Sequence, residues 1–190
     1  MRFVNIATAF AIATVAQAFV IPSHTANGVY AVTIGEDGKE VHTKISDSAS
    51  IQSTQPGGVT PVNKPGDLER REAGRIWCGC GFNMDPGNCD AAVESLVAQM
   101  GSIVNPGMSY YSIHDNVVAF ACNRSPNRGW FLIGNQYRDA LARITASCGR
   151  YIAGATQSGD DGQDLISGYA RWREGDDFCR GSTSSPVNRC

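Results

Sequence analysis

The apolar positions of this chain change their spacing three times. Residues 3–15 are almost continuously apolar, interrupted only by Asn5, Thr8 and Thr14. Residues 29–34 and 40–45 are β-prone runs on either side of Glu36-Asp37-Gly38-Lys39. Asp-Gly between two such runs predicts a hairpin, because glycine supplies the positive φ that the tight turn requires. A lone hairpin is marginal in water. This one is therefore expected to dock elsewhere or to stay partly unstructured, either as a removable, chaperone-like pro-segment or as a retained part of the fold.

From residue 75 onward, strand and helix periods alternate. Residues 75–82 (RIWCGCGF) read as a strand with Trp77 facing away from Cys78 and Cys80. A turn at Asp85-Pro86-Gly87-Asn88 leads into a helix expected from Asn88 or Cys89 to about Gly101. Its Ala92, Val93, Leu96, Val97 and Met100 recur at helical spacing. Residues 109–113 and 117–122 predict two strands joined through His114-Asp115-Asn116, and residues 130–133 follow a polar loop. Asn135 is the expected cap of a second helix that runs to Cys148 and stops at Gly149. Residues 151–153 and 166–172 supply the last strands. Strand, helix, strand, strand, helix, strand defines an α+β fold. The expected form is a two-layer sandwich with the split βαβ, ferredoxin-like order (βαββαβ) and both helices on one face of an antiparallel sheet.

Processing signals divide the 190 residues. Arg2, the apolar run and Ala16-Gln17-Ala18 form a secretory signal peptide over residues 1–18, cut after Ala18. The run is too short to span a bilayer, which takes about 20 residues, so no membrane anchor is expected. Residues 54–66 (TQPGGVTPVNKPG) hold three prolines and three glycines and read as a linker. They lead to Arg70-Arg71, a dibasic pair of the kind cut by kexin-type secretory proteases. Residues 19–71 are thus an expected pro-segment, carrying the hairpin and the linker. Residues 72–190 are the expected mature, extracellular domain.

All seven cysteines (Cys78, Cys80, Cys89, Cys122, Cys148, Cys179 and Cys190) lie in that domain. Small secreted domains supplement a limited core with disulfides, and an odd count leaves one thiol over. The expected topology places Cys78 near Cys122, and Cys148 near Cys80 and Cys89. Cys179 and Cys190 would either close on each other or staple the tail to the domain. Zinc is disfavoured, since Cys78-Gly79-Cys80 lacks the two-to-four-residue gap and the matching second pair of structural sites. No cofactor is expected.

The net charge of −2 argues against a nucleic-acid partner, which needs a surplus of cations. All three lysines precede residue 72, and ten arginines follow it. Arginine packs its planar fork on carboxylates and aromatic rings, which suits a protein-binding surface. No catalytic constellation emerges. His114 is the sole histidine of the domain, and a hydrolase such as a ribonuclease would have to pair it with Asp115 or Glu94. A Cys–His nucleophile would need Cys89 or Cys80 kept reduced beside it. The acidic runs 160–164 and 174–177 lack EF-hand spacing and read as solvated loops. Asn123-Arg124-Ser125 is a glycosylation sequon in an expected surface loop.

Three motifs carry a resemblance. Cys89-Asp90-Ala91-Ala92-Val93, then Val117-Val118-Ala119-Phe120-Ala121-Cys122, then Ile133-Gly134-Asn135-Gln136-Tyr137 resemble the layout of secreted fungal necrosis-inducing extracellular effectors. The element order also resembles the small disulfide-bonded killer toxins of smut fungi, some of them released from precursors at dibasic sites. The resemblance spans residues 77–172, and the cysteine count departs from both families. It implies a secreted effector or toxin acting on host or competitor cells. It carries no catalytic residue across. With no catalytic constellation, the expected protein is non-enzymatic, a monomer, and binds a host or competitor protein or cell-surface target. Two other classes remain: the hydrolase using His114, and a cell-wall carbohydrate-binding module using Tyr110, Tyr111, Trp130 or Trp172.

Overall fold

The computed structural model describes residues 19–47, 74–159 and 165–190. Asp37-Gly38 lies at the tip of a hairpin formed by β1 (Gly28–Ile34) and β2 (Glu40–Ser46), with Gly38 at φ +76°. Then follow β3 (Ile76–Asn83), α1 (Pro86–Val97), β4 (Ser102–Val104), β5 (Ser109–His114) and β6 (Val117–Asn123). The chain continues through β7 (Trp130–Leu132), α2 (Gly134–Cys148), β8 (Ile152–Ser158), β9 (Leu165–Arg171) and the one-turn α3 (Phe178–Gly181).

Local chemistry sets the helix ends. Asp85 Oδ1 accepts the Asn88 amide at 2.9 Å and Pro86 opens the first turn, so α1 begins two residues before the expected Asn88. α2 starts after Ile133 with no side-chain cap, which places Asn135 inside the first turn instead of at the cap. Gly149, at φ +100°, ends α2 as its sequence implies.

The main sheet has seven antiparallel strands in the order β2-β1-β5-β6-β9-β8-β3. The α+β class and the placement of α1 and α2 on one face hold, but the ferredoxin-like order does not. That order puts β3 beside β6. Instead β6 lies between β5 and β9, and β3 is an edge strand that pairs, among the described strands, with β8 alone. Gly79 and Gly81 weaken β3 as an interior strand. Its open side is closed by the C-terminal tail, where the Cys78 amide donates to Val187 O at 2.7 Å. β9, meanwhile, makes seven register pairs with β6, from Val117↔Arg171 to Asn123↔Leu165.

The altered order changes the disulfides. Cys78 bonds Cys148, Cys80 bonds Cys190 and Cys122 bonds Cys179, so Cys78 and Cys122 are not partners. The end of α2 does lie close to β3, but Cys148 meets Cys78 there, not Cys80 or Cys89. Cys179 and Cys190 staple the tail to two different strands. Cys89 is the thiol left over, buried within α1.

β6 is buried along its whole length and serves two cores. Val117, Ala119 and Ala121 face the helices, where they meet Cys89, Ala92 and Leu96 of α1 and Tyr137, Leu141 and Ile144 of α2. Small residues on this face let the helices approach closely. Val118, Phe120 and Cys122 face the other way, with Trp77, Tyr111, Ile113 and Ile166. The two outer parts of the described chain cover this second face: Phe19 and Ile21 on the N-terminal side, Phe178 and Cys179 from α3. Phe19 and Ile21 are 2% and 1% exposed, and burying such side chains contributes roughly 1.5–3 kcal/mol each. The hairpin is thus integrated into the sheet through β1. Ala18, Arg70 and Arg71 lie outside the described residues, as does the acidic run 160–164.

Candidate functional site

Beside α3, the second face is left open. Strand alternation places Gly79 of β3, Ala153 of β8 and Ala170 of β9 on the face that carries Trp77 and Phe120, and none of them fills the space above the sheet. The result is a groove of about 800 Å³ between the sheet and the C-terminal tail. Phe82, Trp172, Phe178 and Val187 give it an apolar wall, and Arg171, Asp176, Asp177 and Arg180 place both signs of charge along it. Phe82 is 56% exposed and Val187 41%, so this apolar surface faces solvent.

The tail that walls the groove is tied at several points. Cys80–Cys190 and Cys122–Cys179 fix it covalently. Ser185 Oγ donates to Cys78 O at 2.7 Å, and the Cys190 amide donates to Ser147 O at 3.1 Å. Asp177 caps α3 by accepting the Arg180 amide at 2.9 Å, while its Oδ2 is buried with no hydrogen-bond partner among the described residues. A groove built on a stapled wall loses little conformational entropy when it binds.

The residues proposed for hydrolysis do not converge. Asp115, at φ +50° in the β5–β6 turn, receives the Asn27 Nδ2–H at 3.3 Å, and its own amide donates to Asn27 Oδ1 at 2.8 Å. Its carbonyl accepts from Trp172 Nε1 at 3.1 Å. His114 Nδ1 is buried with no hydrogen-bond partner among the described residues. Glu94 on α1 binds the Arg138 guanidinium of α2 with both oxygens, and that contact holds its carboxyl below the ordinary range. Glu94 is an ionic strap between the two helices. Burial, reinforced by Asp90, pushes the Cys89 thiol up to about 12, the opposite of an activated nucleophile. Among the described residues no three His, Cys, Asp or Glu side chains form a metal-ligating cluster.

The aromatic residues proposed for carbohydrate binding are dispersed. Tyr111 is fully buried and stacked on Tyr30, with ring centroids 5.0 Å apart. Tyr110 and Trp130 pack against the helix-side core, and Arg128 covers the Trp130 ring at 4.5 Å. Trp172 alone of the four lines the groove. Arginine also lies over Trp77 and Tyr151, so the expected arginine–aromatic packing recurs.

Asn123, read from its sequon as a surface site, is completely buried at the end of β6. Its Nδ2 donates to Val104 O at 2.9 Å and Arg128 O at 2.7 Å, and its Oδ1 accepts the Ser125 amide. The side chain shapes the 124–128 loop, and a glycan on Nδ2 would displace both donated bonds. The groove itself had no sequence signal except the Gly and Ala positions of β3, β8 and β9, which share one face only once the strand order is known. Comparison with protein-family models, with curated proteins and with solved structures finds no match. Among the described residues no helix is long and apolar enough to cross a membrane.

Proposed function

We propose that this chain is a secreted, non-enzymatic effector or toxin-like protein that binds a host or competitor target through the groove beside α3. The carrying observation is the groove itself: exposed apolar walls over a small-residue floor, held open by a doubly stapled tail. Its mixed charges suit a protein segment with an apolar side chain at its centre and polar groups at its rim. Three disulfides fit an oxidising, extracellular setting. Removal of residues 1–18 and cleavage after Arg71 are the processing steps that belong to this reading. The effector resemblance of the three motifs and the killer-toxin resemblance of the element order support the same class.

Filling the groove tests the proposal. Ala170→Trp adds bulk at a half-buried floor position and should leave the far-ultraviolet spectrum and melting temperature near wild type. Purified protein is infiltrated into host tissue and added to cultures of competitor fungi. Wild type should give a response in at least one assay, and Ala170→Trp should abolish it, while His114→Ala retains it. A folded Ala170→Trp variant with full activity sinks the groove assignment. Loss of activity in His114→Ala with retained fold would instead favour a hydrolase, and an inert wild type in both assays would reject the effector reading.

A further inference from the structure

No disulfide reaches the β1–β2 hairpin, so residues 19–47 are joined covalently to the rest only through residues 48–73. The non-covalent hold is extensive. β1 pairs antiparallel with β5 from Gly28↔Ile113 to Val32↔Ser109. Val29 and Val32 are fully buried on opposite faces, and Tyr30 stacks on Tyr111. Phe19 and Ile21 enter the second core, where Phe19 meets Phe178. One polar cluster ties three segments together: Glu40 Oε2 accepts the Val20 amide at 3.0 Å and lies 3.1 Å from His42 Nε2, while His42 Nδ1 is 3.0 Å from the Tyr111 hydroxyl. Asn27 and Asp115 exchange two further hydrogen bonds.

We infer that residues 74–190 carry a strand-acceptor site along the outer side of β5, that its occupant is residues 19–47, and that this segment stays bound as a separate chain once the connection is cut. Main-chain pairing with β5 supplies affinity. The pockets for Tyr30 and Val32 on one face and Val29 on the other fix the register, since a one-residue slip would turn every side chain to the wrong core. Loss of the segment would leave β5 an unpaired edge and uncover Tyr111, Ile113 and Phe178. Cleavage at Arg70-Arg71 then yields a two-chain protein, not a domain that has discarded a pro-segment. The inference rests on the β1–β5 interface and holds for any single break within residues 48–73, whatever the target of the groove.

The test replaces residues 56–61 with a site for a sequence-specific protease, in the chain beginning at Phe19. After complete cutting, native mass spectrometry and size exclusion should find both pieces in one particle, and denaturant without reductant should separate them. A cut sample in which the N-terminal piece is missing from the native particle, whether the remainder stays folded or precipitates, overturns the inference. Ile21→Ala with Tyr30→Ala should weaken retention on dilution by roughly a hundredfold or more, as expected for emptied core positions. Val41→Ala, on the exposed face of β2 and 47% accessible, should leave it unchanged. Equal retention in both variants would refute the assigned pockets.

Discussion

The groove wall depends on Cys80–Cys190, and removing that bridge gives a measurable consequence. The two residues are 110 apart in sequence, but the other disulfides shorten the loop that it closes. In the unfolded chain, the shortest path runs two residues back to Cys78, across to Cys148 and 42 residues on to Cys190, an effective loop of about 44. Chain-entropy arithmetic for that length gives about 4 kcal/mol, before any relaxation of the native state. Without the bridge, three hydrogen bonds among the described residues still tie residues 185–190 to β3 and α2: Ser185 Oγ to Cys78 O, Cys78 amide to Val187 O, and Cys190 amide to Ser147 O. Each is worth about 1 kcal/mol net, which barely offsets the entropy of holding the last residues, so the tail of the variant frays. Fraying lowers the native free energy and reduces the loss in stability to roughly 2–4 kcal/mol, the usual measured range. In a chain of this size that is a fall in melting temperature of about 4–16 °C. The double variant Cys80→Ser/Cys190→Ser is therefore expected to melt lower and, at 25 °C, to lose hydrogen-exchange protection at the Cys78 amide while β6 stays protected. Unchanged melting together with full protection at Cys78 would show that the tail is held without its staple, and would refute the reasoning about a disulfide-built wall.

Four further outcomes follow from single positions. A Cβ at Gly168 would lie 2.4 Å from Gly154 O and 2.9 Å from the Phe120 ring, so Gly168→Ala should cost about 1–3 kcal/mol where glycine removal ordinarily stabilises; thermal melts equal to or above wild type would contradict this. Arg138 depresses the folded-state pKa of Glu94, so the pair's stabilisation is present above the unfolded carboxyl value near 4.5 and is lost as pH falls through the folded value. Melts of Glu94→Gln should thus trail wild type by less than about 1 kcal/mol at pH 7, with the gap closing below pH 4.5; a gap that widens in acid would refute the assignment. Cys89, buried and with its thiol raised to about 12, should resist a thiol reagent at pH 8 in the native protein and give one labelled thiol per chain in denaturant without reductant. Native labelling within minutes would place it at the surface. Finally, Phe19→Ala should raise hydrogen exchange at the Arg180 amide, because Phe19 packs on Phe178 and Val20 bridges Asp177, the cap of α3; unchanged exchange there would uncouple the N-terminal strap from the groove.

Elements that depend on local pattern were legible. β6 reads as a strand from Val117-Val118-Ala119-Phe120-Ala121-Cys122, and α2 from Tyr137, Leu141 and Ile144 at helical spacing, ending at Gly149. The Asp37-Gly38 hairpin followed from turn chemistry. Strand order was not legible, because it is decided by residues far apart in sequence. Gly154 and Gly168 let β8 and β9 lie against one another and against Ile144 and Phe120, contacts that no local window contains. The closure of β3 by Val187 lies more than a hundred residues from the strand it protects. The Cys78–Cys122 pairing followed the wrong order and failed with it, whereas Cys179 and Cys190 do staple the tail to the domain. The expected surface position of Asn123 failed for a related reason: an Asn before a turn can equally serve to satisfy buried carbonyls, and the local sequence does not show its burial. Ribbon strands of three residues and the single turn of α3 are too short to give a periodic signal.

The two faces of the sheet are closed in different ways, and the difference bears on function. The helix face is covered by α1 and α2, linked by Glu94–Arg138 and fastened to β3 through Cys78–Cys148. From residues 19–47 that core receives Val29 of β1. The opposite face is covered by the two ends of the described chain, one bonded through disulfides and one held only by packing and hydrogen bonds. They meet where Val20 bridges Asp177 and Phe19 touches Phe178, and Asp177 and Phe178 are also groove residues. The groove therefore has one permanent wall and one support that can be exchanged. A cut in the connection that left the hairpin in place would preserve the groove. Displacement of the hairpin would expose the β5 edge and loosen the α3 end of the groove together, because the same few contacts serve both. Binding at the groove and retention of the N-terminal segment are then thermodynamically linked: a ligand that needs α3 in its present position must strengthen the hold on residues 19–47 by the same factor that their presence strengthens the ligand.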